Sequence, residues 1–294
     1  MTRPGHCSRP SMQRLARGVG LAALVLGGCA SAPETGRTQF APATLAPVSA
    51  AYSEVEMATR LAFAEDKACR GEECTGHYNF RRRVATVAAR LEKSARTLYA
   101  ESGSALPRFH TRVVQKSEAG SLSSAMGTVV LLDGLRAREA EDAALALVIA
   151  REMGHVIGRH HEENSATSIV ISVLAQLVLP VANLVRGTAA AIQGTAAAAA
   201  TTAASVAGTR VVLATYRPEQ LREADAIAFR LLAHAGWDAG DVARSGQVLA
   251  ARLDDSAWSA AFRTAVGRFE PILAGPPPES ECGLRMAVVL SEPE

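Results

Sequence analysis

Aromatic side chains are scarce in this chain: seven Phe, four Tyr and two Trp make up 4% of 294 residues. A core without large flat side chains has to be built by close helix packing of small ones, and Ala is the dominant apolar residue. An excess of either charge is lacking too. With 31 basic and 29 acidic residues the formal net charge is +2. That balance excludes a surface built throughout to bind nucleic acid and a highly charged disordered tail. Only five cysteines occur. No second Cys/His pair stands near Cys69 and Cys74 at finger spacing, which argues against a structural zinc site there. What is present is a 48% hydrophobic chain, enough for a real core, of a length that suits one domain or two.

The charge is unevenly placed. Residues 1–28 contain Arg3, Arg9, Arg14 and Arg17 and no acid, the basic head of an export signal. An apolar run from Val19 to Leu26 follows, too short to span a bilayer, and ends in Leu26-Gly27-Gly28-Cys29-Ala30. This resembles the lipobox of bacterial lipoproteins, which implies cleavage before Cys29 and its lipidation. The plainer readings are an ordinary cleaved signal or a buried apolar helix, and Met12 is an alternative start. Ala30, in place of an Asp, favours the outer membrane. Removing residues 1–28 takes away four Arg and no acid, leaving 27 basic against 29 acidic residues and a formal charge of −2. Residues 29–51, rich in Pro, Ala, Thr and Ser, are expected to be a flexible lipidated tether, with the folded domain over 52–294. In an oxidising compartment Cys69 and Cys74 could close a small loop; the competing pairing joins one of them to Cys282.

Hydrophobic periodicity predicts a helical region from Tyr52 to about Ala100, strands over Phe109–Val114 and Thr128–Leu132, and helices over Glu139–Arg159 and Pro218–Ala235. An Ala-rich helical insertion over 166–215 contains an apolar stretch, 169–185, that Pro180 interrupts. A core hairpin is the plainer account of it than a membrane span. Arg81-Arg82-Arg83 is expected to be a solvated helix face, and Trp237 and Trp258 packing residues.

The chemistry concentrates in Ala150-Arg151-Glu152-Met153-Gly154-His155-Val156-Ile157-Gly158-Arg159-His160-His161. It looks like an HExxH helix, in which two His on one helical face bind zinc and the Glu activates the bound water, but with Arg151 at the first His. Taken with the approach from Glu141 and the strand Thr128–Leu132, the segment resembles the HtpX/BepA-type zinc metallopeptidases (peptidase family M-48). Tyr216 to Asp225, closing on Glu223-Ala224-Asp225, resembles the second motif of that family. There a ligand Glu sits four residues before the Asp; here that position is Leu221. The resemblance implies a mostly helical α+β fold, gluzincin-like, with a small antiparallel sheet against the motif helix. It also implies a zinc endopeptidase with Glu152 as general base and His155 as a zinc ligand.

Two of the three expected ligands are replaced, by Arg151 and Leu221, and a guanidinium has no lone pair to give a metal. A rebuilt site would need other donors. His160 and His161, five and six residues beyond His155, would point away from it on a regular helix. His77, His110 and His234 could contribute only through the fold. The substitutions make sense together if Arg151 ion-pairs with Asp225, and with Glu152, supplying the charge that zinc would bring, while Leu221 fills the vacated ligand space. The expectation is therefore a lipid-anchored, periplasm-facing pseudopeptidase without a metal, binding envelope proteins or extended peptides by strand addition to an edge strand near Thr128–Leu132. The alternatives are an active zinc endopeptidase of envelope quality control and a purely structural lipoprotein.

Overall fold

The computed structural model describes residues 29–63, 69–100, 106–167 and 216–268. The segment read as an export signal, the apolar stretch 169–185 and Cys282 lie outside the described residues. Among those described, no helix is long and apolar enough to cross a membrane.

The described part of the chain opens with a two-stranded antiparallel ribbon, β1 (Cys29–Ser31) and β2 (Thr38–Phe40). Helices α1 (Ala46–Phe63) and α2 (Glu72–Leu98) follow. The single helical region expected from Tyr52 is thus two helices. The first starts earlier, at Ala46, with Pro47 in its first turn, where a missing N–H costs nothing. Cys69 and Cys74 are joined by a disulfide at the turn into α2. Strands β3 (His110–Val114), β4 (Ser121–Ser123) and β5 (Thr128–Leu132) form one sheet. A short helix α3 (Gly134–Ala137) leads to α4 (Asp142–Ile157), and α5 (Pro218–His234), α6 (Ala239–Arg252) and α7 (Ala257–Gly267) complete the described fold.

The architecture is α+β and mostly helical, as the sequence implies. The sheet is not purely antiparallel. Its order is β3-β5-β4, with β3 parallel and β4 antiparallel to β5. Strand β5 is therefore central, and the expectation that Thr128–Leu132 is an exposed edge is corrected. The edge on the α4 side is β4, whose three residues are too few to signal a strand.

Helix α4 is the axis of the core, buried from Ala143 to Ile157 on every side. Such all-round burial suits a helix surrounded by others. Small residues let its neighbours approach: a Cβ added at Gly154 would lie 2.5 Å from the Ala224 carbonyl oxygen of α5. This contact brings the two motif segments together. The sheet divides by parity. Val129 and Leu131 face the main core, whereas Val130, Leu132 and Leu122 pack under Met57 and Leu61 of α1. Hence α1 covers one face of the sheet and α4 the other.

Residues 29–51 are not a tether. They are structured and latched to the domain by ion pairs. Both terminal nitrogens of Arg37 donate to Glu163, each at 2.9 Å, and one reaches Glu223 at 3.4 Å. Glu34 accepts from Arg230 and from the Tyr99 hydroxyl. Composition suggested a linker because these contacts use single long-range charges, which leave no periodic signature. Burial alone would push the Glu163 carboxyl up, but hydrogen bonds from Arg37, Gln220 and Arg217 outweigh it and hold it at about 2. A depressed carboxylate pKa contributes stability above the ordinary Glu range, lost as pH falls toward 2. Arg37→Ala is accordingly expected to lower stability by about 2 kcal/mol at neutral pH, below the ~3–5 kcal/mol of fully buried pairs because Arg37 is partly exposed. The deficit should shrink as pH falls through the Glu163 transition. Chemical denaturation at pH 7 and pH 3 checks both points.

Candidate functional site

A cavity of about 920 Å³ runs beside β4, between α1, α4 and the start of α7. Its lining includes Arg151, Glu152, His155, His161, Tyr216 and Leu221, together with Ser121 and Ser123. His77, His110 and His234 do not line it. His77 is instead bonded to Asp133, at 2.9 Å.

The Nε of Arg151 donates to Asp225 Oδ1 at 2.6 Å, and neither side chain is more than 8% exposed. The other Asp225 oxygen is taken by Arg268. A fully buried carboxylate thus stands between two guanidiniums. No motif points to Arg268, which comes from beyond the last of them. Glu152 does not share Arg151. Its two oxygens each accept a 2.6 Å hydrogen bond, from the hydroxyls of Ser121 and Ser123. Ser121 Oγ also accepts from the Trp258 indole at 2.9 Å, and Ser123 Oγ lies 3.1 Å from His161 Nε2. Trp258 therefore positions a cleft residue as well as packing on Phe262. A carboxyl group held this way by two hydroxyls has both oxygens engaged.

His160 lies beside His155, with 3.0 Å between their Nδ1 atoms. This corrects the expectation from a regular helix. Helix α4 ends at Ile157, Arg159 adopts φ +56°, and a new helical turn over residues 160–167 swings His160 back. His160 Nε2 in turn lies 3.2 Å from Glu223 Oε2, and Tyr216 stacks on His155 with ring centroids 3.7 Å apart. Glu223, two residues away from the expected ligand position, thus points to His160. For a neutral pair, Glu223 as acceptor makes His160 donate from Nε2 and accept at Nδ1. His155 then donates from Nδ1 and keeps a lone pair at Nε2.

Burial, followed by the charges of His160 and Arg151, lowers the His155 pKa well below the ordinary histidine value. Burial and His160 bring that of His161 down to about 3. A lowered histidine pKa means that the unfolded chain takes up a proton between about pH 6.5 and 3 while the folded chain does not. Stability therefore falls as pH falls through that window. His161→Asn should flatten this limb by up to about 1.4 kcal/mol per pH unit, measurable by denaturant melts between pH 7 and 4.

The family profile of Peptidase family M48 matches residues 85–264, a span that holds α4, α5 and every cleft residue just named except Arg268 and those of α1. The chain belongs to peptidase family M48. No curated protein matches the chain. The family is typically zinc-dependent, so the donors can be tested against that metal. Arg151 offers none, Leu221 offers none, and Glu152 is engaged by two serines. Among the described residues, no group of three or more His, Cys, Asp and Glu side chains converges as a metal site would require. His155 retains a suitable nitrogen but has no fellow ligands among the described residues. The described residues do not fit zinc.

Proposed function

We propose that this protein is a pseudopeptidase: a metallopeptidase fold whose cleft binds extended peptides or unfolded segments of envelope proteins without cutting them. The observation that carries the reading is the Arg151–Asp225 pair at 2.6 Å. A fixed cation occupies the first ligand position and is neutralised by the acid that, in the family pattern, would support a ligand histidine. The cleft itself persists. In the β4–β5 ladder, Leu132 N–H donates to Gly120 and Ser124 N–H to Thr128, so the main-chain groups of Ser121 and Ser123 turn the other way, toward an edge that no strand pairs among the described residues. An extended segment can add there as a further strand.

On this reading the chain is an envelope lipoprotein held to the membrane by acyl chains on Cys29, with the outer membrane favoured by Ala30. Cys29 is exposed and is the first residue of β1, so the anchor would join the folded body with almost no spacer. The full chain, supplied with zinc and casein, should give no cleavage above that of Glu152→Gln. Zinc-dependent cleavage lost in Glu152→Gln would overturn the proposal. Incorporation of labelled palmitate that disappears in Cys29→Ser tests the anchor separately.

A further inference from the structure

The cation that stands at the zinc-ligand position has donors to spare. Arg151 uses Nε on Asp225, and its two terminal nitrogens have no hydrogen-bond partner among the described residues. The side chain is more than nine-tenths buried, yet it lines the cavity. Its terminal nitrogens are not among the buried polar atoms left without a partner, so they open on the cavity, where a ligand can accept from them in place of solvent. A planar fork of two N–H donors suits a carboxylate, which can accept both in a bidentate pair.

Besides Glu152, the cleft wall also carries Glu56, Glu118, Asp254 and Asp255, of which Glu56, Asp254 and Asp255 are paired with Arg60, Arg138 and Arg263. Asp225 is shared with Arg268, so it does not use up the charge of Arg151 alone. Glu152 is the adjacent anion, and its oxygens are turned to Ser121 and Ser123. The other cation on the cleft wall, Arg60, is paired with Glu56 at 2.7 Å. Arg151 precedes Glu152 on α4, and Glu152 touches both serines of the free edge, so strand-pairing groups and guanidinium open on one cavity.

We infer that the cleft recognises the C-terminus of a polypeptide: its last residues pair with the edge of β4, and its terminal carboxylate is bound by the free side of the Arg151 guanidinium. This rests on the cleft being a peptide-binding site, and it names what distinguishes a ligand from any other extended segment. It also suits a fold that no longer cuts, since a chain end offers no peptide bond beyond the carboxylate.

The test uses the full chain and one pool of fluorescently labelled random hexapeptides, made both as free acids and as C-terminal amides. By fluorescence polarisation the free acids should bind at least about tenfold more tightly than the amides, the usual scale of a charge-assisted bidentate contact. Arg151→Lys, which keeps the charge but loses the fork, should abolish most of that preference while still binding amides. Should that variant fail to fold, the wild-type chain suffices: phenylglyoxal modification of Arg151, followed by mass spectrometry, should be slowed by the free acids and not by the amides. Equal affinity for both pools would overturn the carboxylate assignment and leave peptide binding standing. Binding of neither pool would overturn both.

Discussion

The double substitution Arg151→His with Leu221→Glu is expected to give a chain that binds one equivalent of zinc, at least about a hundredfold more tightly than the wild type. The surroundings needed for this are already in place. His155 is oriented by a hydrogen bond at Nδ1 to His160, which is itself held by Glu223, leaving its Nε2 for a metal. Asp225 sits 2.6 Å from the side chain at position 151 and would support a histidine there. Leu221 and His155 line one cavity. Three donors would then converge where the wild type has one. Equilibrium dialysis with zinc measures the gain. Each single substitution should fall short, because two ligands make a poor site. A double variant that binds no better than the wild type would mean that the cleft has drifted from the geometry of the family, beyond the exchange of two ligands.

Asp225→Ala should be the most damaging single change to stability. It removes the shared partner of Arg151 and Arg268 and leaves a cation unpaired in the core. Breaking a buried pair from one side costs about 3–5 kcal/mol, which for a chain of this size corresponds to a melting temperature lower by on the order of 10 °C. Part of that loss should be recovered by Arg151→Met in the same chain, since the unpaired charge is then gone. The cycle built from Arg151→Met, Asp225→Ala and the double variant should show a coupling above about 1 kcal/mol. Coupling near zero would refute the ion pair as the reason that Arg151 is tolerated.

Much of this site could be read from the chain because its departures are chemical. An Arg where a zinc peptidase has His, and a Leu where it has Glu, are visible without coordinates, and they pointed to Asp225 as the partner. Strand Thr128–Leu132 and the helix starting at Pro218 were equally legible, each being a regular apolar pattern with clear ends. The remaining parts were hidden for physical reasons. Strand β4 has three residues and no pattern to detect, yet it supplies the serines that hold Glu152. His160 reaches His155 only because Arg159 takes a left-handed conformation, which nothing in its side chain announces. Arg268 and Trp258 arrive from distant sequence, and the segment 29–51 looks like a linker because its attachments are a few charges spaced irregularly. Composition describes what a segment contains, whereas its partners lie elsewhere.

The central assignment is that Arg151, paired with Asp225, is the cation of this site in place of zinc. The most direct measurement is the zinc content of the full chain, stripped with chelator, incubated with one molar equivalent of zinc and desalted. The expected result is below about 0.1 equivalents retained, the same in wild type and in His155→Ala, since a single histidine holds the metal poorly. One equivalent retained by the wild type and lost in His155→Ala would contradict it.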